Sequence, residues 1–217
     1  MHTICLYIDK KRISPYAMSV YVALKEKGLN FQEKAVDLDL LEQQTVAYRH
    51  ICPSGKVPCL LMDDFHLFES WAITEYLEDT FPAPEYPALY PQDSKARAKC
   101  RAVQALVKTD FMAIRQAMPS DAIFVPPKGL FIGSAELMQD IQHLLALTET
   151  LLNEYWLTEQ WSIADFDLAF MLYRLRSHQI ELPDKIQSYI QRNFQRASVQ
   201  AWIMENEKLK LESAQIH

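Results

Sequence analysis

Apolar and polar positions along this 217-residue chain change their period near residue 80. Before it, short β-favouring runs alternate with amphipathic stretches; after it, the spacing is helical throughout. Ile4 to Ile8 is an apolar run that predicts a first strand. Ser14 and Pro15 announce a helix, with serine at the N-cap and proline at the first helical position. Met18, Tyr21, Val22, Leu24 and Leu29 give that helix an inward stripe, and Gly28 sits where a left-handed residue closes a helix end. Phe31 to Leu38 alternates as a second strand, and Leu40 to His50 reads as a less regular second helix. Pro58 to Met62 and Leu67-Phe68 predict a hairpin across Asp63-Asp64, a turn-favouring pair. Ser70 to Thr80 follows as a third helix, with Trp71, Ile73, Tyr76 and Leu77 apolar. The order β-α-β-α-β-β-α predicts a small mixed sheet covered by helices.

Pro82, Pro84, Pro87 and Pro91 rule out a helix over 81–91, which reads as a linker. Beyond it, helical spacing predicts a long run from Asp93 to Met118, then Ala135 to Trp156, Ser162 to Ser177, Pro183 to Asn193 and Ala197 to Leu209. Residues 119–134 read as a loop, broken by Pro126-Pro127 and Gly129. Ser162 with Asp165 three residues on forms a near capping box, flanked by Trp161 and Phe166 as a hydrophobic staple. These patterns divide the chain into an α/β domain over 1–80, the linker over 81–91 and an all-helical domain over 92–217.

Composition narrows the function. The net charge of −6 argues against nucleic-acid binding by counterion release. Lys10-Lys11-Arg12 is a short basic run that reads as a solvated loop, with attraction of an anionic ligand as the other reading. No stretch approaches the roughly 20 apolar residues of a membrane span, and Asp9 with that basic run interrupts the N-terminal apolar stretch, so no secretory signal is expected. Cys5, Cys52, Cys59 and Cys100 lack close-pair spacing, which argues against a disulfide framework. The chain reads as soluble and cytoplasmic. His50, Cys52, Cys59 and His66 are near one another, but the cysteines are too far apart in sequence for the usual zinc pair, so no metal site is expected. Asp165 and Asp167 do not share a helix face, which argues against paired-carboxylate catalysis.

Three features point to chemistry. Pro58 directly before Cys59-Leu60-Leu61 cannot donate to a ladder, which makes sense if Val57 offers its own N–H and C=O outside the sheet. About ten residues later Glu69, Ser70 and a helix start come together, a combination suited to a ligand carboxylate. A peptide-like ligand carrying a carboxylate is the simplest explanation of both. Ser14 has two readings: an ordinary N-cap, or a hydroxyl donating to an anionic sulfur above the helix end. A free thiol titrates near 8.5, and lowering that by two units takes about 2.7 kcal/mol. A hydrogen bond to a charged acceptor supplies about 1.5–3 kcal/mol and the helix end about 0.3–1. Lys56 is either a carboxylate partner or an exposed loop lysine, and Tyr7 near the end of the first strand is a rival for Ser14.

The Val57-Pro58 turn, the Glu69-Ser70 pair and Ser14-Pro15-Tyr16 followed by Val20-Tyr21-Val22-Ala23-Leu24 resemble the glutathione S-transferase family, in a serine-type, YfcF-like bacterial branch. The resemblance spans the chain and implies a thioredoxin-like first domain and an all-α helical bundle. It implies that Ser14 activates glutathione, that Val57-Pro58 is a cis turn pairing with the cysteinyl main chain, and that Lys56 meets the glycyl carboxylate. Ser70 would hold the γ-glutamyl carboxylate and Glu69 its ammonium. Cys52 stands where related sequences often carry asparagine, which puts the local turn geometry in question. The implied activity is a detoxifying conjugation of glutathione, as cosubstrate, to a small hydrophobic electrophile, with glutathione-dependent peroxidase activity as an addition. A non-catalytic binding protein and a glutathione-dependent isomerase are the alternatives. The electrophile is expected between the two halves, near Phe111, Met112 and Arg115, and Asp110 to reach a partner subunit's glutathione in a homodimer.

Overall fold

The structure, a computed structural model, describes residues 2–124 and 133–214. The chain separates into two compact units: residues up to Leu89 together with the segment from Ala197, and Tyr90–Arg196. Contacts thus group the last helix with the first unit, whereas its helical period alone aligns it with the helices before it.

In the first unit, β1 (Ile4–Asp9) is buried at every position and forms the middle of the sheet. The strand order is β2-β1-β3-β4, with β2 (Gln32–Val36) parallel to β1 and β3 (Cys59–Met62) antiparallel to it. β4 (Phe65–Phe68) completes the hairpin through Asp63, which takes φ 55° as the turn requires. Helix α1 (Pro15–Glu26) begins at the Ser14 cap, and every residue from Ala17 to Leu24 is buried. It is buried all round because α3 (Ser70–Thr80) and α9 (Ala197–Ala214) both pack on it in addition to the sheet. Gly28 at φ 68° ends it, with Leu29 N–H donating to Leu24 C=O at 3.0 Å.

The expected second helix over 40–50 differs. Leu41 turns left-handed at φ 56°, a short 3-10 turn covers Glu42–Gln44, and α2 proper is Val46–Ile51 capped by Thr45. The Thr45 hydroxyl that accepts from Tyr48 N–H restarts the helix there. The proline-rich segment is ordered. Lys27 Nζ, fully buried, donates to Glu78 at 2.5 Å and to Phe81 C=O at 2.6 Å, and Leu89 N–H donates to the same Glu78 oxygen at 2.8 Å.

The second unit is all helical among the described residues: α4 (Ser94–Thr109), α5 (Met112–Ala117), α6 (Ala135–Leu151), α7 (Ile163–Ser177) and α8 (Asp184–Phe194). The single run expected over 93–118 is broken. Asp110 is extended and Phe111 left-handed at φ 55°, which buries the Phe111 ring edge-on to His143, while Ala113 N–H donates to Asp140 at 3.1 Å. A side chain from another helix thus caps α5, and the local period cannot report it. The expected breakers Pro126-Pro127 and Gly129 lie outside the described residues.

Helix α7 is the centre of this unit, buried at most of its positions. Its capping box forms as expected: Asp165 accepts from Ser162 N–H and Oγ, both at 2.8 Å. Asp165 also accepts from Leu157 N–H and the Tyr189 hydroxyl, which tie the turn before α7 and helix α8 to one buried carboxylate. Ser162→Ala should therefore cost about 1–2 kcal/mol of stability, read from the urea unfolding midpoint.

Candidate functional site

The turn joining β1 to α1 is held from beneath by a buried carboxylate. Asp9, the last residue of β1 and 1% exposed, accepts from Ile13 N–H at 2.6 Å and Ser14 N–H at 3.1 Å. Burial pushes its carboxyl up from the usual range, and those two N–H groups work against that shift. From the other side, α9 grips the turn: Trp202 Nε1 donates to Arg12 C=O at 3.0 Å and Asn206 Nδ2 to Lys11 C=O at 2.8 Å. Lys10 and Lys11 pair with Asp37 and Asp39 at the surface, as a solvated loop should. Arg12 departs from that reading. It is half-buried, pairs with Glu33 and lies 4.8 Å over the Trp202 ring.

Ser14 is half-buried, and its Oγ accepts from Ala17 N–H at 3.2 Å. A serine hydroxyl has two lone pairs and one O–H, so accepting at the cap leaves the donor unused. Among the described residues no group takes that O–H. The capping reading and the donor reading are therefore compatible.

Strand register brings the other candidates to the same end of the sheet. Tyr7 in β1 faces Cys59 in β3, and Cys59 faces Phe68 in β4. The C-terminal end of β1, the start of β3 and the end of β4 are therefore level, so Ser14, Val57-Pro58 and Glu69-Ser70 all follow from one sheet edge. The Val57-Pro58 bond is cis, and Val57 lies outside the ladder that begins at Cys59. Lys56 is exposed, Val57 half-buried and Pro58 buried. Glu69 is exposed at φ 70° and Ser70, 8% exposed, is the first residue of α3. A glutamate at positive φ costs on the order of 1–3 kcal/mol and persists only where the surroundings enforce it.

Tyr7 belongs to a packing cluster. With Cys5, Val36, Tyr48, Cys52 and Cys59 it forms a buried group, its ring 5.9 Å from that of Tyr48. The four cysteines are buried free thiols. The Cys59 thiol is pushed up, first by its hydrogen bond to Cys52 and then by burial. His66 Nδ1 is engaged with Ile51 C=O at 2.7 Å. No three His, Cys, Asp or Glu side chains among the described residues are grouped to hold a metal ion, and no helix among them is long and apolar enough to cross a membrane.

A family model described as "Glutathione S-transferase, N-terminal domain" matches residues 13–80, and one described as "Glutathione S-transferase, C-terminal domain" matches residues 93–208. The chain belongs to the glutathione S-transferase family. The match spans Ser14, the cis turn and the Glu69-Ser70 helix start in the first model and all of α4 to α8 in the second. A glutathione transferase homolog from Burkholderia GL BGR1, solved with bound glutathione, superposes with a TM-score of 0.78 at 34% identity, over 95% of this chain and 98% of that one. Glutathione S-transferase F14 of Arabidopsis thaliana is 31% identical over 198 residues, 88% of this chain and 74% of its own length. A stringent starvation protein A homolog of Pasteurella multocida is 25% identical over 199 residues, 89% of this chain and 86% of its own length.

Four residues that shape this candidate site were not legible as such in the sequence. Asp9 read only as an interruption of the apolar N-terminus, although a carboxylate five residues before an N-cap serine is a usable signal for an anchored turn. Trp202 and Asn206 act from nearly 200 positions away, and no local pattern links them to Arg12. Tyr48 lay in the irregular second helix, with no sign that its hydroxyl meets Lys56.

Proposed function

We propose that this protein is a serine-type glutathione S-transferase of the YfcF-like bacterial branch, joining the glutathione sulfur to a small hydrophobic electrophile. The observation that carries the reading is the convergence at one end of the sheet of a cap serine, a Val-Pro turn outside the ladder and a buried serine at a helix start. The bound glutathione of the Burkholderia relative supports the same ligand. In this reading Val57 pairs main chain to main chain with the cysteinyl residue, as an added strand does. Ser70 and its N–H hold the γ-glutamyl carboxylate, Glu69 takes the γ-glutamyl ammonium, Lys56 neutralises the glycyl carboxylate and Pro58 fixes the turn.

The chemistry needs no metal. The thiol proton leaves to solvent, Ser14 O–H donates to the sulfur anion, and the thiolate attacks the electrophilic carbon as its leaving group departs. Serine keeps its own proton throughout. Residues 1–80 supply the glutathione site, 81–91 the linker and 92–217 the helical domain, in a cytoplasmic homodimer. A panel of electrophiles and hydroperoxides assayed with glutathione tests the reading. Conjugation of at least one electrophile supports it, and hydroperoxide reduction adds the peroxidase activity. Glutathione affinity with no turnover of any panel member would sink the transferase reading and leave a binding protein. Double-bond isomerisation alone would replace it with an isomerase.

A further inference from the structure

Tyr48 lies on α2, outside every residue assigned to glutathione above, with its ring buried in the cluster beneath β1 and β3. Its hydroxyl donates to Lys56 C=O at 2.8 Å, and Cys52 Sγ donates to the same oxygen at 3.2 Å. Burial pushes the Tyr48 phenol up, so the hydroxyl keeps the proton it donates throughout the neutral range.

The carbonyl of Lys56 and the N–H of Val57 are the two ends of one planar peptide group. That group is trans, the cis bonds among the described residues being Val57-Pro58 and Ala83-Pro84. In a trans peptide the C=O and N–H point in opposite directions. Drawing the Lys56 oxygen onto Tyr48 therefore turns the Val57 N–H away from the α2 cluster. The plane is set from the α2 side: Tyr48 and Cys52 share the Lys56 oxygen, and the buried Gly55 before it donates its N–H to Cys52 C=O at 2.9 Å.

We propose that Tyr48 is a positioning residue for glutathione, aiming the Val57 N–H through the Lys56 carbonyl. The proposal rests on the glutathione reading above, because that N–H matters only if the cysteinyl main chain pairs with it. Tyr48→Phe keeps the buried ring and removes only the tether. The Lys56 oxygen is then left to the longer Cys52 bond, the plane is less firmly aimed, and each glutathione molecule must bind against that added freedom.

The test compares wild type with Tyr48→Phe in steady-state kinetics, glutathione titration and amide hydrogen exchange at Val57. We expect KM and Kd for glutathione to rise about three- to tenfold, with kcat within about twofold and the electrophile KM unchanged. Cys52→Ala, which removes the second group on the same oxygen, should act in the same direction and more weakly. In wild type, glutathione should slow exchange of the Val57 amide; in Tyr48→Phe that protection should shrink. A purely structural tyrosine would instead lower thermal stability with glutathione KM unmoved. Wild type that binds glutathione alongside a variant that binds it equally well overturns the positioning role and leaves the transferase reading standing. Wild type with no glutathione affinity overturns both. Should the variant not fold, the wild-type amide decides alone: no slowing at Val57 on adding glutathione refutes the proposal.

Discussion

Ser14→Ala is expected to lower kcat/KM for glutathione conjugation by roughly 10- to 150-fold, the equivalent of losing a charge-assisted hydrogen bond of about 1.5–3 kcal/mol. The cause is electrostatic. Ser14 sits at the α1 N-terminus with a lone pair on Ala17 N–H and its O–H untaken among the described residues, so its removal takes away the one side-chain donor proposed for the sulfur anion. Absorbance of the bound thiolate should then show the glutathione thiol titrating about one to two pH units higher in the variant. Glutathione binding should change little, since the proposed contacts to the tripeptide come from Val57, Glu69 and Ser70. Alanine also removes the N-cap, at about 1 kcal/mol, whereas glycine there costs only a few tenths. Ser14→Gly thus separates the two jobs: it should lose nearly as much rate as alanine while keeping more of the stability. A rate loss that followed cap strength across the two variants would make Ser14 a cap and nothing more.

Lys27→Met is the change with the largest expected effect on stability, about 3–5 kcal/mol. Both partners are inside the protein: side-chain exposure is 0% for Lys27 and 3% for Glu78. Glu78 would keep only the Leu89 N–H on one oxygen, and its other oxygen has no hydrogen-bond partner among the described residues. A buried carboxylate so poorly matched must either take up a proton or break open the packing around it. The same substitution frees Phe81 C=O, which begins the proline-rich segment. Chemical denaturation should show the loss in its midpoint. Lys27→Met with Glu78→Gln should recover part of it, because no charge is left unpaired. A cost below about 1 kcal/mol for the single variant would mean that water reaches the site.

Much of the architecture was legible because short-range signals agreed with one another. Ser14-Pro15 started α1, Gly28 ended it, Asp63-Asp64 turned the hairpin and Ser162 with Asp165 opened α7. The failures lie where distant residues override the local period. Phe111 turns left-handed against a run of good helix formers because its ring is buried against His143 on another helix. Leu41 breaks the second helix, which Thr45 then restarts. The last helix carries a period like its predecessors, yet it groups with the first unit through Trp202 and Asn206 on the turn before Ser14. In the candidate site, residue types marked the candidate side chains, while the groups that hold the backbone around them stayed hidden. Asp9 and Tyr48 act on backbone N–H and C=O groups that sequence does not display.

Calorimetric titration of glutathione into the purified protein, with Ser70→Ala and Ser14→Ala alongside, tests the glutathione site most directly. Saturable binding of one tripeptide per chain is expected, weakened several-fold by Ser70→Ala through the lost bond to the γ-glutamyl carboxylate and far less by Ser14→Ala. No saturable heat with wild type, or binding indifferent to Ser70, would contradict the site proposed here.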